Sequence, residues 1–148
     1  MLTELILATA MVILTALAHL TGLAILTRLL RSHTRLMRQV RIMPLTLLLT
    51  ATLGIISIHT VEIWLWAALY LFGLDAFRHF EEALYFSTVT YASVGYGDLL
   101  MPPRWRILGA IEGGAGVIML GWSTAYLVSI LTQLKLLGHD WLGGENRR

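Results

Sequence analysis

Ser93-Val94-Gly95-Tyr96-Gly97-Asp98 lies past the middle of a 148-residue chain, directly after an apolar segment rich in aromatic residues. Its glycines alternate with residues that carry side chains. Glycine takes a positive φ without steric cost, so Gly95 and Gly97 let the backbone flip locally. Successive carbonyls then face one side, while Val94 and Tyr96 turn their side chains to the other. A ring of such carbonyls can take the place of water around a bare cation. Irregular backbone survives at membrane depth only where protein buries it or it lines water, and residues 93–97 are expected to meet that condition.

The flanks of this stretch fit the same reading. Residues 79–91 predict a helix of about 12 positions, too short to cross a bilayer and hence re-entrant or buried. Glu81 and Glu82 fall in its first turn, where the helix dipole favours acidic groups. Its other end, at Thr90-Tyr91-Ala92, presents a partial negative charge, and several such ends converging would favour a cation. Tyr85, Phe86 and Tyr91 are bulky enough to wedge the loop, although a plain aromatic core stripe has the same pattern. Asp98 either bonds behind the loop or stands as a solvated carboxylate. Pro102-Pro103 then blocks helix continuation before the next element.

Five of the six residues quoted first match, in order, the Thr-Val-Gly-Tyr-Gly-Asp signature of the potassium-channel pore loop, with Ser93 in place of Thr. Residues 44–134 resemble that family's pore domain: outer helix 44–72, pore helix 79–91, filter 93–97 and inner helix 104–134. The resemblance implies K+ contacts from the carbonyls of Ser93, Val94, Gly95 and Tyr96 and from the Ser93 hydroxyl, with Gly97 permitting the outer flip. Ser93 keeps the hydroxyl of Thr and drops its methyl, which bears on the innermost site. Tyr85, Phe86, Thr90, Tyr91, Asp98, His59, Glu62 and Glu112 are then filter support. One loop per chain implies a homotetramer, since a single short loop supplies one wall of a cage. The implied activity is passive potassium conduction, with K+ as permeant ion, no cofactor and no enzymatic chemistry. The alternatives are a weakly selective monovalent cation channel, an ion-coupled transporter subunit using His59, Glu62 and Glu112, and a non-conducting subunit of a larger channel. Transporters often carry internal repeats, and none is visible here.

The remaining sequence predicts an all-α membrane protein with three transmembrane helices. It is 57% hydrophobic and 14% charged, with a mean hydropathy of +0.72, whereas soluble domains carry roughly 25% charged residues. The absence of cysteine excludes disulfides. Basic residues flank the hydrophobic runs, so the pI of about 9.3 reflects membrane topology and predicts no nucleic-acid partner. Residues 2–30 read as a retained transmembrane helix, in which His19 is a neutral histidine packed on another helix. Arg28, Arg31, Arg35 and Arg38 share one helix face. The stretch is too polar to span and lacks acidic partners, so residues 31–43 read as a basic cytoplasmic connector on anionic headgroups rather than a voltage sensor.

In the second run, His59 and Glu62 share a face and read as scaffold. The pair is too sparse for a metal site, since no further ligand set with zinc-like spacing appears. Trp64, Trp66 and Tyr70 are expected near the outer interface. In the third run, Gly113, Gly114, Gly116 and Gly121 serve equally as a gating hinge or as close-packing positions. Glu112 is expected to be protonated or paired behind the filter. Residues 135–148 read as a cytoplasmic tail with no soluble regulatory domain. Arg28, Arg31, Arg35, Arg38, Arg41, Lys135, Arg147 and Arg148 on one side, against Arg78, Arg104 and Arg106 on the other, predict a plasma-membrane protein with its N-terminus outside.

Overall fold

The computed structural model describes residues 1–36 and 43–134. Arg38, Arg41 and the 135–148 tail with Lys135, Arg147 and Arg148 lie outside the described residues. Four α-helices make up the described chain: α1 (Leu2–Leu36), α2 (Met43–Ala68), α3 (Phe80–Tyr91) and α4 (Arg106–Gln133). Among the described residues, three segments are long and apolar enough to cross a membrane: Leu2–Ser32, Pro44–Gly73 and Pro103–Gln133. The protein is a multi-pass membrane protein, and α3, at 12 residues, is the helix that falls short of spanning.

The α1–α2 seam is built by reciprocal insertion. A Cβ added to Gly54 would lie 2.5 Å from Leu26 of α1, and one added to Gly22 would lie 2.7 Å from Ile58 of α2. Each helix thus opens a glycine to receive a branched side chain from the other, the close approach that small residues allow between membrane helices. Outward faces remain apolar and exposed, Ile13, Leu17, Leu49 and Leu53 among them. That distribution suits a hydrocarbon solvent.

α2 ends in a π turn, Leu69–Gly73, which holds the fully buried Tyr70. Tyr70, Phe77 and Phe86 pack edge-on or tilted, with centroids 5.2–6.3 Å apart, distances at which aromatic quadrupoles attract. This cluster joins α2, the 74–79 loop and α3. The Glu82 carboxylate accepts from the backbone N–H groups of Arg78 (3.1 Å) and His79 (3.3 Å), fixing the entry to α3 as acidic N3 residues do. A 3₁₀ turn, Pro103–Trp105, leads into α4. The Arg104 guanidinium stands 4.8 Å over the Trp105 ring, within cation–π range.

Two of the expected interface aromatics are placed differently. Trp64 is exposed, but Trp66 and Tyr70 have no exposed surface. Trp66 donates its indole N–H to Thr15 of α1 (3.0 Å), and Tyr70 donates its hydroxyl to Glu112 of α4 (2.6 Å). A polar tip that finds a partner inside the bundle no longer needs the headgroup region.

Candidate functional site

The chain leaves α3 without continuing the helix. Ser93 N–H donates to the Thr90 carbonyl (2.9 Å), and the N–H groups of Val94 and Gly95 both donate to the Val89 carbonyl (2.8 and 3.0 Å). Three consecutive donors are thereby turned back onto the end of α3. Ser93, Gly95 and Gly97 have φ of +56°, +52° and +78°, whereas Val94 and Tyr96 have no positive φ. Positive φ at every second residue lets the backbone flip locally there. With these three donors occupied behind, residues 93–97 lie exposed. Ser93 sits in the left-handed region without glycine's freedom, a conformation costing about 1–2 kcal/mol that the three bonds to α3 hold in place.

The far end of the loop is held by Tyr85, whose hydroxyl donates to Asp98 Oδ2 (2.6 Å), while Leu99 N–H donates to Asp98 Oδ1 (3.1 Å). Asp98 is therefore the bonded carboxylate of the two readings. The Tyr85 bond holds the Asp98 carboxyl below its ordinary range, and the same bond raises the Tyr85 phenol. Tyr85, on α3, thus bonds at one end of the strand whose other end is tied to residues 89 and 90.

Behind α3 are two buried carboxyl clusters. Glu112, on α4, meets Tyr70 from the π turn and Ser87 from α3, the Ser87 Oγ to Oε1 distance being 2.5 Å. Ser87 also reaches the Ile63 carbonyl of α2 (2.9 Å). A hydroxyl has one proton for these two acceptors, so both bonds are full when Glu112 carries a proton of its own. In the second cluster, Glu62 Oε1 lies 2.8 Å from His19 Nδ1 of α1, and Oε2 lies 3.0 Å from His59 Nδ1. The Tyr91 hydroxyl donates to Glu62 as well. His59 Nε2 is 2.9 Å from Ser123 Oγ of α4. No buried side-chain polar atom among the described residues lacks a hydrogen-bond partner.

The structure thus brings His59, Glu62 and Tyr91 together, and sets Glu112 one turn away on the same face of α3, at Ser87. Sequence reasoning missed their partners: His19 for Glu62, and Tyr70 and Ser87 for Glu112. A signal for the first was present. Thr15 and His19, four apart, form a polar stripe on an otherwise apolar helix and so mark its inward face.

The glycines of α4 divide by surroundings. A Cβ on Gly116 would stand 2.1 Å from the Tyr91 carbonyl oxygen, and one on Gly113 would stand 3.3 Å from that of Thr90. These two let α4 touch the backbone at the end of α3. A Cβ on Gly114 or Gly121 meets nothing within 4 Å. The helix runs unbroken through all four. Phe86 stands against Gly109, with its ring 3.2 Å from a Cβ built there.

Residues 45–133 match a family described as ion channel. No curated protein and no solved structure matches the chain.

Proposed function

The chain belongs to the ion channel family, and from that premise we propose that it is a potassium-selective channel subunit conducting passively through a homotetrameric pore. The observation that carries this reading is the backbone of residues 93–97. The N–H groups of Ser93, Val94 and Gly95 are spent on α3, and φ is positive at Ser93, Gly95 and Gly97; this supports carbonyls turned to the open side, where they replace an ion's hydration shell. The carbonyls of Ser93, Val94, Gly95 and Tyr96, with the Ser93 hydroxyl, form the K+ sites. A single chain supplies one wall, so four copies around an axis complete the cages. The C-terminal end of α3 in each copy adds its partial negative charge toward the ion path. Tyr85, Asp98 and the Glu62 and Glu112 clusters keep each wall at a fixed position. Gly114 and Gly121, at which an added Cβ would meet nothing within 4 Å, are the hinge candidates for gating. The basic residues in the last turns of α1 and after it, from Arg28 to Arg41, support a plasma-membrane protein with that end of the helix in the cytoplasm and its N-terminus outside, so that the loop enters from outside.

The test is liposome flux with purified protein. Wild type should pass potassium over sodium and be blocked by barium, and Gly95→Ala should lose conduction. Gly95 has φ +52° and open space at its Cβ position, so the loss would come from the backbone conformation, at about 1–2 kcal/mol per chain, rather than from a clash. Sodium entering as readily as potassium would refute the selectivity claim and leave the weakly selective channel as the reading.

A further inference from the structure

We propose that His19, His59 and Glu62 form a binding site for one zinc-type divalent transition-metal ion, which fastens α1 to the helices around α3. The proposal is independent of which ion the chain conducts. Two imidazoles and a carboxylate are a familiar donor set for zinc. One donor atom from each of the three side chains lies within 4.8 Å of the others. Neither the spacing of His59 and Glu62 nor any local motif reveals this, because the third donor comes from a helix 43 residues away. His19 and Glu62 are fully buried, and His59 is 9% exposed.

The geometry around the donors is that of a ligand set with its outer partners in place. Both histidines present the same nitrogen, Nδ1, to Glu62. Both turn Nε2 toward one hydroxyl, Ser123 Oγ, at 2.9 Å from His59 and 3.5 Å from His19. The proton count explains why this matters. If each ring carries its proton on Nδ1 to reach Glu62, both Nε2 atoms are acceptors and compete for the single Ser123 proton. If a metal ion takes both Nδ1 lone pairs, each ring carries its proton on Nε2, and Ser123 accepts from both through its two lone pairs. Metal-bound histidines ordinarily donate their other N–H in this way. The Tyr91 oxygen, 3.0 Å from His59 Nδ1 and bonded to Glu62, is the next oxygen beside the three donors.

The size also fits. Tetrahedral bonds of about 2.0–2.1 Å put donor atoms roughly 3.3 Å apart. The closest separations here are 2.8 and 3.0 Å and the widest lies within 4.8 Å, a spread that brackets that spacing. No net proton need leave the imidazoles, since each only shifts its proton from Nδ1 to Nε2. A single extra proton, making His19 an imidazolium against Glu62, satisfies the same hydrogen-bond count and is the competing outcome.

The experiment uses the full chain in detergent, stripped with a chelator and titrated with Co²⁺ as a visible probe and with Zn²⁺. Wild type should develop a four-coordinate Co²⁺ absorption band, retain about one zinc per chain after gel filtration, and rise in Tm on zinc addition, as metal binding coupled to folding requires. His19→Ala should lose the band, and Ser123→Ala should weaken binding by about 10–100-fold. His79→Ala, an exposed histidine outside the cluster, should change nothing. If wild type shows neither the band nor retained zinc, and its Tm ignores both zinc and chelator, the cluster is a proton-held clamp and the proposal is overturned. Equal zinc retention in His19→Ala would overturn it too. The wild-type arm decides even where a variant fails to fold.

Discussion

Tyr85 and Asp98 show how a single hydrogen bond sets a pH window. Asp98 is held below the ordinary carboxylate value of 3.8, so its contribution is complete above that value and is lost as pH falls through the lower folded one. Tyr85 is held above 10.0, so its contribution is complete below that value and is lost only as pH rises through the raised one. The two windows overlap across neutral pH, and the bond is intact from about pH 5 to about pH 9. In Tyr85→Phe the Asp98 midpoint should move up toward 3.8, because its first cause is removed. A carbon NMR titration of the Asp98 carboxyl checks this, and an unchanged midpoint would exclude the tyrosine as the cause. Glu112 makes the contrast of a buried site. Glu112→Gln keeps a group that can both donate and accept between Tyr70 and Ser87, and should cost less than about 1.5 kcal/mol. Glu112→Ala leaves two buried hydroxyls without that partner and should cost about 3 kcal/mol. Equal losses for the two, measured as thermal stability in the same detergent, would contradict the bonded arrangement.

The helices are fixed by where backbones touch, and there α4 matters most. Gly116→Ala would gain roughly 1 kcal/mol of helix propensity. Yet its methyl would stand 2.1 Å from the Tyr91 carbonyl oxygen, a backbone atom that cannot rotate aside. Overpacking costs about 1–3 kcal/mol, so the expected net effect is destabilisation and a shift of the end of α3, read as lower Tm and reduced flux. Gly114→Ala, with open space, is the control and should hold or raise Tm in the single chain. If both substitutions behave alike, the contact with α3 is not what places α4. The three spanning runs, the shortness of α3 and the glycine alternation of 93–97 were legible because each has a local signature: a hydrophobic run, a run too short to span, a residue that takes positive φ without steric cost. The links between helices were not. His19–Glu62, Tyr70–Glu112 and Thr27–Tyr126 join residues 43, 42 and 99 positions apart, and no spacing rule reaches across a bundle. Trp66 and Tyr70 misled for a related reason, since an amphipathic ring suits a headgroup region and a buried hydroxyl or carboxyl partner equally well.

In the proposed tetramer four copies of residues 93–96 would surround the ion path, and the single chain has exposed surface that such an assembly would cover. Val94 is 51% exposed, Tyr96 73% and Leu100 66%, a concentration of bare apolar and aromatic surface beside the loop that neighbouring copies would bury. Four chains of 16.5 kDa give a protein mass of about 66 kDa, measurable by native mass spectrometry. Function offers the sharper test. If each conducting pore takes one loop from every subunit, a defective loop in any position should spoil it. Wild-type and Gly95→Ala chains mixed in equal amounts before assembly should then leave about one sixteenth of pores fully wild type. Potassium flux should fall to roughly that fraction, whereas a dimer would retain about one quarter and a pore formed by one chain about one half. Titrating the mixing ratio distinguishes these curves, and a linear fall with the mutant share would show that each chain conducts by itself.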